Sequence, residues 1–321
     1  MGYTELIRRV HKRLLKRHSS PRNKNLLAVG LGWAFKKGKP DPQRGLSFIY
    51  LVRKKKKRPP ANERIPPTVV VMNSDGKRRR RITLKTDVVA IGKVVPTGFQ
   101  AEPQWNDEVF LVGALVSWGE PGNLSWGLLT VGHGLVGRAN NDRSITVVLP
   151  EPPPIVGTLF RSTLSTDPID AALIRLNNPA DVARFNAYLP ADGKPLSIRT
   201  LDQLWEDGAE ANSGGTTLTA SPPPSFAIQA YYPTQDPSKP IIPETPNRID
   251  LLQVSGVRNE FRKGTSGAVW LAASGEVDAL QVGANEGGFD KGFGQAMQAC
   301  LDWANTQVPG IDQPVQLMAV F

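Results

Sequence analysis

The chain has 321 residues, a formal net charge of +10, three histidines and one cysteine. A single cysteine excludes an intramolecular disulfide framework, so a reducing, cytoplasmic location is expected. So few His and Cys residues exclude a zinc cluster, and no glycine-rich phosphate motif is present, so neither a metal nor any other cofactor is expected. No stretch approaches the length of a transmembrane helix, and the first residues lack the apolar core of a secretory signal.

The charge is divided unequally along the chain. Residues 1–94 carry 26 Lys and Arg against 5 Asp and Glu, a net charge of +21, whereas residues 95–321 carry 13 against 24, a net charge of −11. This division predicts a basic N-terminal module, residues 1–94, followed by an acidic body, residues 95–321. The module is expected to regulate the body or to dock on it.

Basic residues of the module form an amphipathic leader and two dense runs. Residues 6–17 predict a basic amphipathic helix that packs on its own domain, docks on a partner or a membrane surface, or directs the chain to an organelle. The runs are Arg53, Lys54, Lys55, Lys56, Lys57 and Arg58, and Lys77, Arg78, Arg79, Arg80 and Arg81. They are interpreted as solvated loops or as a surface that docks on the acidic body, ahead of a site for nucleic acid or another polyanion.

Short apolar segments broken by Gly and Pro predict β-strands through most of the chain. In the module the predicted strands are 26–35, 46–52, 68–72 and 82–91. In the body they are 109–118, 124–131, 144–149, 154–160 and 171–176, and then 226–232, 250–254, 268–272, 277–283 and 315–321. A helix is predicted over 293–307, with Cys300 in the core.

His133 is the candidate base of the body, because the other two histidines, His11 and His18, lie in the basic N-terminal region. It follows the apolar run 126–131 and precedes Gly134, so a buried strand would present it at a cleft. Asp170 directly precedes the apolar segment 171–176 and is preferred to its neighbour Asp167 as the partner acid. Each residue alone also suits a structural role, as a satisfied buried histidine or a turn-forming acid.

Ser266 lies between glycines in Gly264-Thr265-Ser266-Gly267, ahead of the predicted strand 268–272. Taken alone, a serine in this pattern is more typical of a tight turn. The chain order is His, Asp, Ser, with separations of 37 and 96 positions, so the three residues can meet only in the tertiary fold. This order and these local contexts resemble those of the trypsin-like (chymotrypsin-fold) serine peptidases.

The resemblance implies a role for each residue. His133 would be the general base, Asp170 would orient it, and Ser266 would be the nucleophile. The backbone N–H groups of Gly264 and Ser266 would form the oxyanion hole. Glu260, six positions before the serine, would lie at the floor of a specificity pocket for Arg or Lys; a solvated loop charge is the alternative.

Thr265 departs from the family pattern, in which an acidic residue usually precedes the nucleophile. In secreted members that acid pairs with an N-terminus released by cleavage, so activation by this route is not expected here. An active intracellular peptidase without a zymogen step and an inactive homologue both stay open.

The resemblance implies a mainly β fold with a double six-stranded β-barrel, barrel one at about 95–199 and barrel two at about 200–321, behind a small basic α/β module. The segments of the module resemble the region that precedes the peptidase domain in plant trypsin-like proteins of the narrow-leaf type and in bacterial relatives. The expected function is a serine endopeptidase that cleaves a protein or peptide under control of the module or a regulatory protein. The alternative is a catalytically inactive peptidase-fold binding protein, with residues 53–58 and 77–81 as a polyanion site.

Overall fold

The structure is a computed structural model of the whole chain. It describes residues 25–37, 39–75, 78–91, 94–96, 111–135, 144–147, 153–162, 169–213, 216–219, 225–229, 248–255, 261, 265–285, 290–307 and 311–321. The fold is mainly β, as the sequence predicts.

The regular elements follow one another in a long series of short strands. The strands are β1 (Leu26–Trp33), β2 (Phe35–Lys36), β3 (Lys39–Pro40), β4 (Leu46–Val52), β5 (Thr68–Asp75), β6 (Arg78–Ala90), β7 (Val94–Pro96), β8 (Ala114–Glu120), β9 (Asn123–Thr130), β10 (Ser144–Val147), β11 (Ile155–Ser162), β12 (Ala172–Leu176), β13 (Glu210–Ser213), β14 (Thr216–Thr219), β15 (Ser225–Gln229), β16 (Arg248–Ser255), β17 (Val269–Leu271), β18 (Val277–Asn285), β19 (Lys291–Ala296) and β20 (Gln316–Val320). The described α-helices are α1 (Pro179–Ala183), α2 (Leu201–Asp207) and α3 (Met297–Gln307).

Six antiparallel strands form one sheet, in the order β10-β11-β12-β9-β8-β20. In β10, buried Ile145 and Val147 alternate with exposed neighbours, so this strand has one face on the core and one in solvent. The last strand of the chain, β20, pairs with β8, with Leu317 opposite Val116. The sequence grouped this strand with residues 200–321, but its pairing returns the end of the chain to the first sheet.

The second sheet has ten strands and combines both ends of the chain. Its order is β17-β18-β19-β16-β15-β1-β4-β6-β5, and β7 pairs with β18. β1 runs antiparallel to β15, with Val29 opposite Ala227, and β4 and β6 run parallel. Strands from residues 26–90 therefore continue the sheet formed by residues 225–296.

The largest apolar core crosses the same boundary. Ile49 and Leu51 of β4 belong to one buried cluster with Val116 of β8 and Phe293 of β19. β18 is buried over its whole length, as expected for a central strand covered on both faces.

Helix α3 differs from the sequence prediction, which extended it back to residue 293. Residues Lys291–Ala296 form β19, and the helix begins at Met297. Cys300 lies fully buried in α3, as predicted. In the part of the chain that the structure describes, no helix combines the length and apolarity needed to cross a membrane.

The two basic runs lie at different places on the module. Residues 53–58 follow β4, and all six are exposed. The interpretation of both runs as loops is wrong for the second, because Arg78 to Arg81 begin strand β6 and pair with β5. The leader, residues 6–17, and Lys77 lie outside the described residues.

Candidate active site

The pairing of β9 with β12 brings His133 and Asp170 together. Thr130 of β9 lies opposite Ala172 of β12 in an antiparallel ladder. His133 comes three residues after Thr130, and Asp170 comes two residues before Ala172. Because β9 ends and β12 begins at the same end of the sheet, His133 and Asp170 meet there, although 37 positions separate them in the chain.

Asp170 holds both the backbone and the ring of His133. Oδ1 of Asp170 accepts a hydrogen bond from the His133 backbone N–H at 2.8 Å, and Oδ2 lies 2.5 Å from the ring atom Nδ1. Both side chains are buried. With Nδ1–H donated to the carboxylate, the other ring nitrogen, Nε2, carries the lone pair that a general base needs.

Gln295 of β19 holds the backbone of Asp170 through two hydrogen bonds. Its Oε1 accepts from the Asp170 backbone N–H at 2.8 Å, and its Nε2 donates to the Asp170 carbonyl at 2.9 Å. Gln295 is buried, so this two-bond contact satisfies its amide and sets the position of residue 170. The strand that carries Gln295 belongs to the second sheet, so this contact joins the two sheets at the site.

Ser266 lies in a tight turn that enters β17. The Gly267 N–H donates to the Gln281 carbonyl at 2.8 Å, and the Ser266 carbonyl accepts from Leu111 at 2.9 Å. Gly267 has φ +91°, and a Cβ on it would come within 1.9 Å of the Leu111 carbonyl oxygen. Glycine is required here on both counts, and the turn holds Ser266 against the first sheet.

The Ser266 hydroxyl lies within reach of two acceptors. Oγ is 3.2 Å from Nε2 of His133 and 2.9 Å from the carbonyl oxygen of Val282 in β18. A hydroxyl has one proton to donate, so one of these two acceptors receives it at a time. Ser266, His133 and Asp170 thus form one continuous hydrogen-bonded series, and all three are fully buried.

Gln281 of β18 holds Thr265, the residue that stands where the family pattern has an acid. Its Nε2 donates to Thr265 Oγ1 at 2.5 Å, and its Oε1 accepts from Trp270 Nε1 at 3.1 Å. A neutral amide therefore orients the residue before Ser266. Neither Gln281 nor Gln295 was a candidate from the sequence, although a lone glutamine in an apolar strand is a signal, because a buried amide requires partners.

Several predicted site residues cannot be placed. Gly264 and Glu260, and the competing acid Asp167, lie outside the described residues. The oxyanion hole and the specificity pocket therefore stay predictions.

The Cys300 thiol is not activated as a nucleophile. Burial, with smaller contributions from the carboxylates of Asp170 and Asp302, raises the pKa of the Cys300 thiol, so it stays protonated. The residues described by the structure contain no group of three or more His, Cys, Asp or Glu arranged to hold a metal ion.

No protein-family model matches the chain, and comparison with curated proteins gives no match. Among solved structures, the chain is similar to the active form of the Rv3671c protease from M. tuberculosis, at 15% identity and a TM-score of 0.34, over 63% of this chain and 82% of that one. It is similar to the serine endoprotease from Yersinia pestis, at 14% identity and a TM-score of 0.30, over 66% and 69%. It is also similar to the MamO protease domain from Magnetospirillum magneticum, at 14% identity and a TM-score of 0.29, over 59% and 94%. The function is therefore inferred from the chain's own residues.

Proposed function

We propose that this protein is a serine endopeptidase with Ser266 as nucleophile, His133 as general base and Asp170 as the residue that orients the base. The observation that carries the proposal is the buried series of contacts from Ser266 Oγ to His133 Nε2, and from His133 Nδ1 to Asp170. A serine hydroxyl is a weak nucleophile until such a base takes its proton.

The reaction follows from these contacts. Nε2 of His133 accepts the proton as Oγ attacks the peptide carbonyl carbon, and Asp170 stabilises the resulting imidazolium. The imidazolium then protonates the leaving amine, and the acyl-enzyme is hydrolysed by a water that His133 deprotonates in the same way. The N–H groups of Ser266 and Gly264 would stabilise the oxyanion, and Glu260 would select Arg or Lys in the substrate.

We further propose that the body, residues 95–321, is a chymotrypsin-like double β-barrel. The strand pair β9 and β12 of the first sheet positions His133 and Asp170, and β17 and β18 of the second sheet position Ser266. The residues of the series thus come from two sheets, as a site between two barrels requires, and β20 returns the end of the chain to the sheet of the first barrel. The N-terminal module, residues 1–94, would act as the regulatory part.

A polyanion site is a second candidate function, favoured by the exposure of the run at 53–58. The described salt bridge in this run is that of Lys56 with Glu63, at 2.7 Å. Residues 78–81 do not extend this run, because they lie at the start of β6, whereas residues 53–58 follow β4 beside the end of β6. The two runs are therefore about 30–40 Å apart along the strand. A regulatory anion or nucleic acid would meet residues 53–58 first.

Substitution of the two reacting side chains tests the peptidase proposal. Ser266→Ala and His133→Ala are each expected to lower peptide hydrolysis by about 10⁴-fold or more, and the double variant should be scarcely worse than either single one, because the residues act as a unit. Far-UV circular dichroism controls for folding. Substantial hydrolysis by well-folded Ser266→Ala would refute the proposal.

A further inference from the structure

Strand β7 pairs with the end of β18 close to the nucleophile. The pairing is antiparallel, with Pro96 opposite Gly283, Val95 opposite Ala284 and Val94 opposite Asn285. Residue 282, whose carbonyl receives the Ser266 hydroxyl, immediately precedes this paired segment. β7 therefore pairs with β18 from the residue that follows Val282, the residue that Ser266 contacts.

The edge of β18 that β7 covers is the same edge that Ser266 approaches. β19 pairs with β18 from Ala279 to Ala284 and so takes one edge throughout. β17 must then lie on the opposite edge, since it pairs with the same part of β18 at Ala279 and Leu280. β7 also shares its β18 partners with β19, so it continues the edge that β17 begins, and the turn of Ser266 lies between them.

An extended substrate would need this edge. Peptides commonly bind by adding a strand to an exposed sheet edge, with backbone hydrogen bonds supplying affinity. A peptide with its reacting carbonyl at Ser266 Oγ would run along β18 past Gly283, provided that the edge is free. β7 runs toward Ser266 as its residue numbers rise, so it has the direction of a substrate segment that precedes the cleaved bond.

The burial of the reacting groups agrees with an occupied site. Ser266 and His133 both have 0% exposed surface. A hydroxyl with no exposed surface cannot contact a substrate carbonyl, so part of the chain must move aside before any substrate, peptide or ester, binds. The β18 edge is a further requirement of an extended peptide alone, so comparison of a peptide with a small ester isolates it.

Pro96 shows which residue pair of β7 and β18 is joined by hydrogen bonds. Pro96 has no N–H, so its pair with Gly283 is of the non-hydrogen-bonded type. Pairs alternate along an antiparallel ladder, so Val95 and Ala284 exchange both N–H···O bonds. Within residues 94–96, one hydrogen-bonded pair thus joins β7 to β18, and a peptide that offers the same two hydrogen bonds can compete for this edge.

We infer that β7 is an internal substrate-like strand that occupies the substrate edge of β18 and keeps the enzyme autoinhibited. This inference rests on the proposed function, and it names the segment through which the N-terminal module controls the site. The substrate is accordingly an extended peptide that replaces β7 on β18.

The first experiment replaces the hydrogen-bonding residue of β7 in the full chain. Val95→Pro removes the N–H of the pair, whereas the control Val95→Thr keeps the N–H and the β-branched shape. The readout is the ratio of kcat/KM for a peptide with four residues before the cleaved bond to kcat/KM for a single-residue ester. Val95→Pro should raise this ratio at least about tenfold, because the fraction of molecules with a free edge increases, and Val95→Thr should leave it unchanged. An unchanged ratio in folded Val95→Pro would overturn the inference.

A second variant locks the strand in place, so the test does not depend on a destabilising substitution. Non-hydrogen-bonded pairs place Cα atoms about 4.5 Å apart, within the range of a disulfide. Oxidised Pro96→Cys/Gly283→Cys should lose peptide hydrolysis by at least about tenfold and recover it on reduction, because the locked fraction has no free edge. Cys300 is fully buried and does not compete. Pro96→Cys alone and Gly283→Cys alone, each under the same oxidant, are the controls, and full peptide hydrolysis by the cross-linked protein would overturn the inference.

A binding assay separates failure of this inference from failure of the proposed function. A fluorescent peptide with the sequence of residues 91–99 should bind Ser266→Ala/Val95→Pro at least about tenfold more tightly than Ser266→Ala, measured by anisotropy. Equal binding would refute occupation of the edge by β7. Absence of hydrolysis in every variant, together with the expected difference in binding, would refute the peptidase proposal alone.

Discussion

Asp278 is a buried carboxylate that lies outside the candidate site. Its Oδ2 accepts from Arg199 at 3.2 Å and from the Glu210 backbone N–H at 2.7 Å. Burial outweighs both contacts and raises the pKa of Asp278 to about 6, above its ordinary value of 3.8. The native protein therefore holds a proton at this residue over a pH range in which the unfolded chain has released it.

This proton predicts a pH dependence of stability. Between pH of about 4 and 6 the free energy of unfolding should fall as pH rises, by on the order of 2 kcal/mol from this residue. The contribution is fully present below the unfolded pKa and is lost as pH rises through the folded one. Asp278→Asn should remove this part of the slope in urea titrations at pH 4, 5, 6 and 7, whereas exposed Asp192→Asn should keep the wild-type profile. Identical slopes in wild type and Asp278→Asn would contradict the assignment.

The members of the hydrogen-bonded series could be predicted from the sequence because few residues compete for each place. His133 is the sole histidine after residue 18, and Ser266 lies in a glycine turn ahead of an apolar strand. Gln281 and Gln295 could not be assigned roles in advance. Their amides act through Thr265 and Asp170, and those contacts depend on which strands are neighbours, which is a tertiary property.

At the level of elements, strands were predicted more accurately than the helix boundary. Apolar residues at helical spacing extended the predicted helix through residues 293–296, which form β19 instead. The glycines of β19 explain the strand. A Cβ on Gly292 would come within 2.5 Å of the Phe261 ring, and one on Gly294 would come within 3.0 Å of the Trp270 ring, so both allow aromatic side chains to pack on the strand.

The arginine run at 78–81 lies in a strand that its charge did not indicate. Its density of positive charge suggested a solvated loop, yet Asp75 lies opposite Arg78 and the ladder continues to Thr68 opposite Lys85. Pairing with β5 thus places all four arginines in a strand, and β6 reaches 13 residues.

At the level of the whole molecule, the structure joins the basic module to the body by backbone pairing and apolar contact. β1 pairs with β15, and Ile49 and Leu51 share the largest core with residues of the body. Backbone pairing and apolar contact depend little on ionic strength, so added salt should not separate the described parts.

Leu51→Ala tests this shared core. Leu51 is fully buried, so its truncation should lower the free energy of unfolding by about 2–5 kcal/mol. In Leu51→Ala, circular dichroism and fluorophosphonate labelling of Ser266 should report the same unfolding midpoint, because one core supports both parts. The exposed residue Val70 provides a control, and Val70→Ala should change stability by less than about 0.5 kcal/mol. Labelling that persists after the module has unfolded would contradict a shared core.

Covalent labelling of Ser266 tests the central claim most directly. A fluorophosphonate reacts with a serine only when a base activates its hydroxyl, and irreversible reaction accumulates even when the site opens transiently. The full-length protein should gain one phosphonyl group, located on Ser266 by peptide mass spectrometry, and His133→Ala should abolish the adduct. A folded wild-type protein that gains no adduct, or an adduct that persists in His133→Ala, would contradict the account.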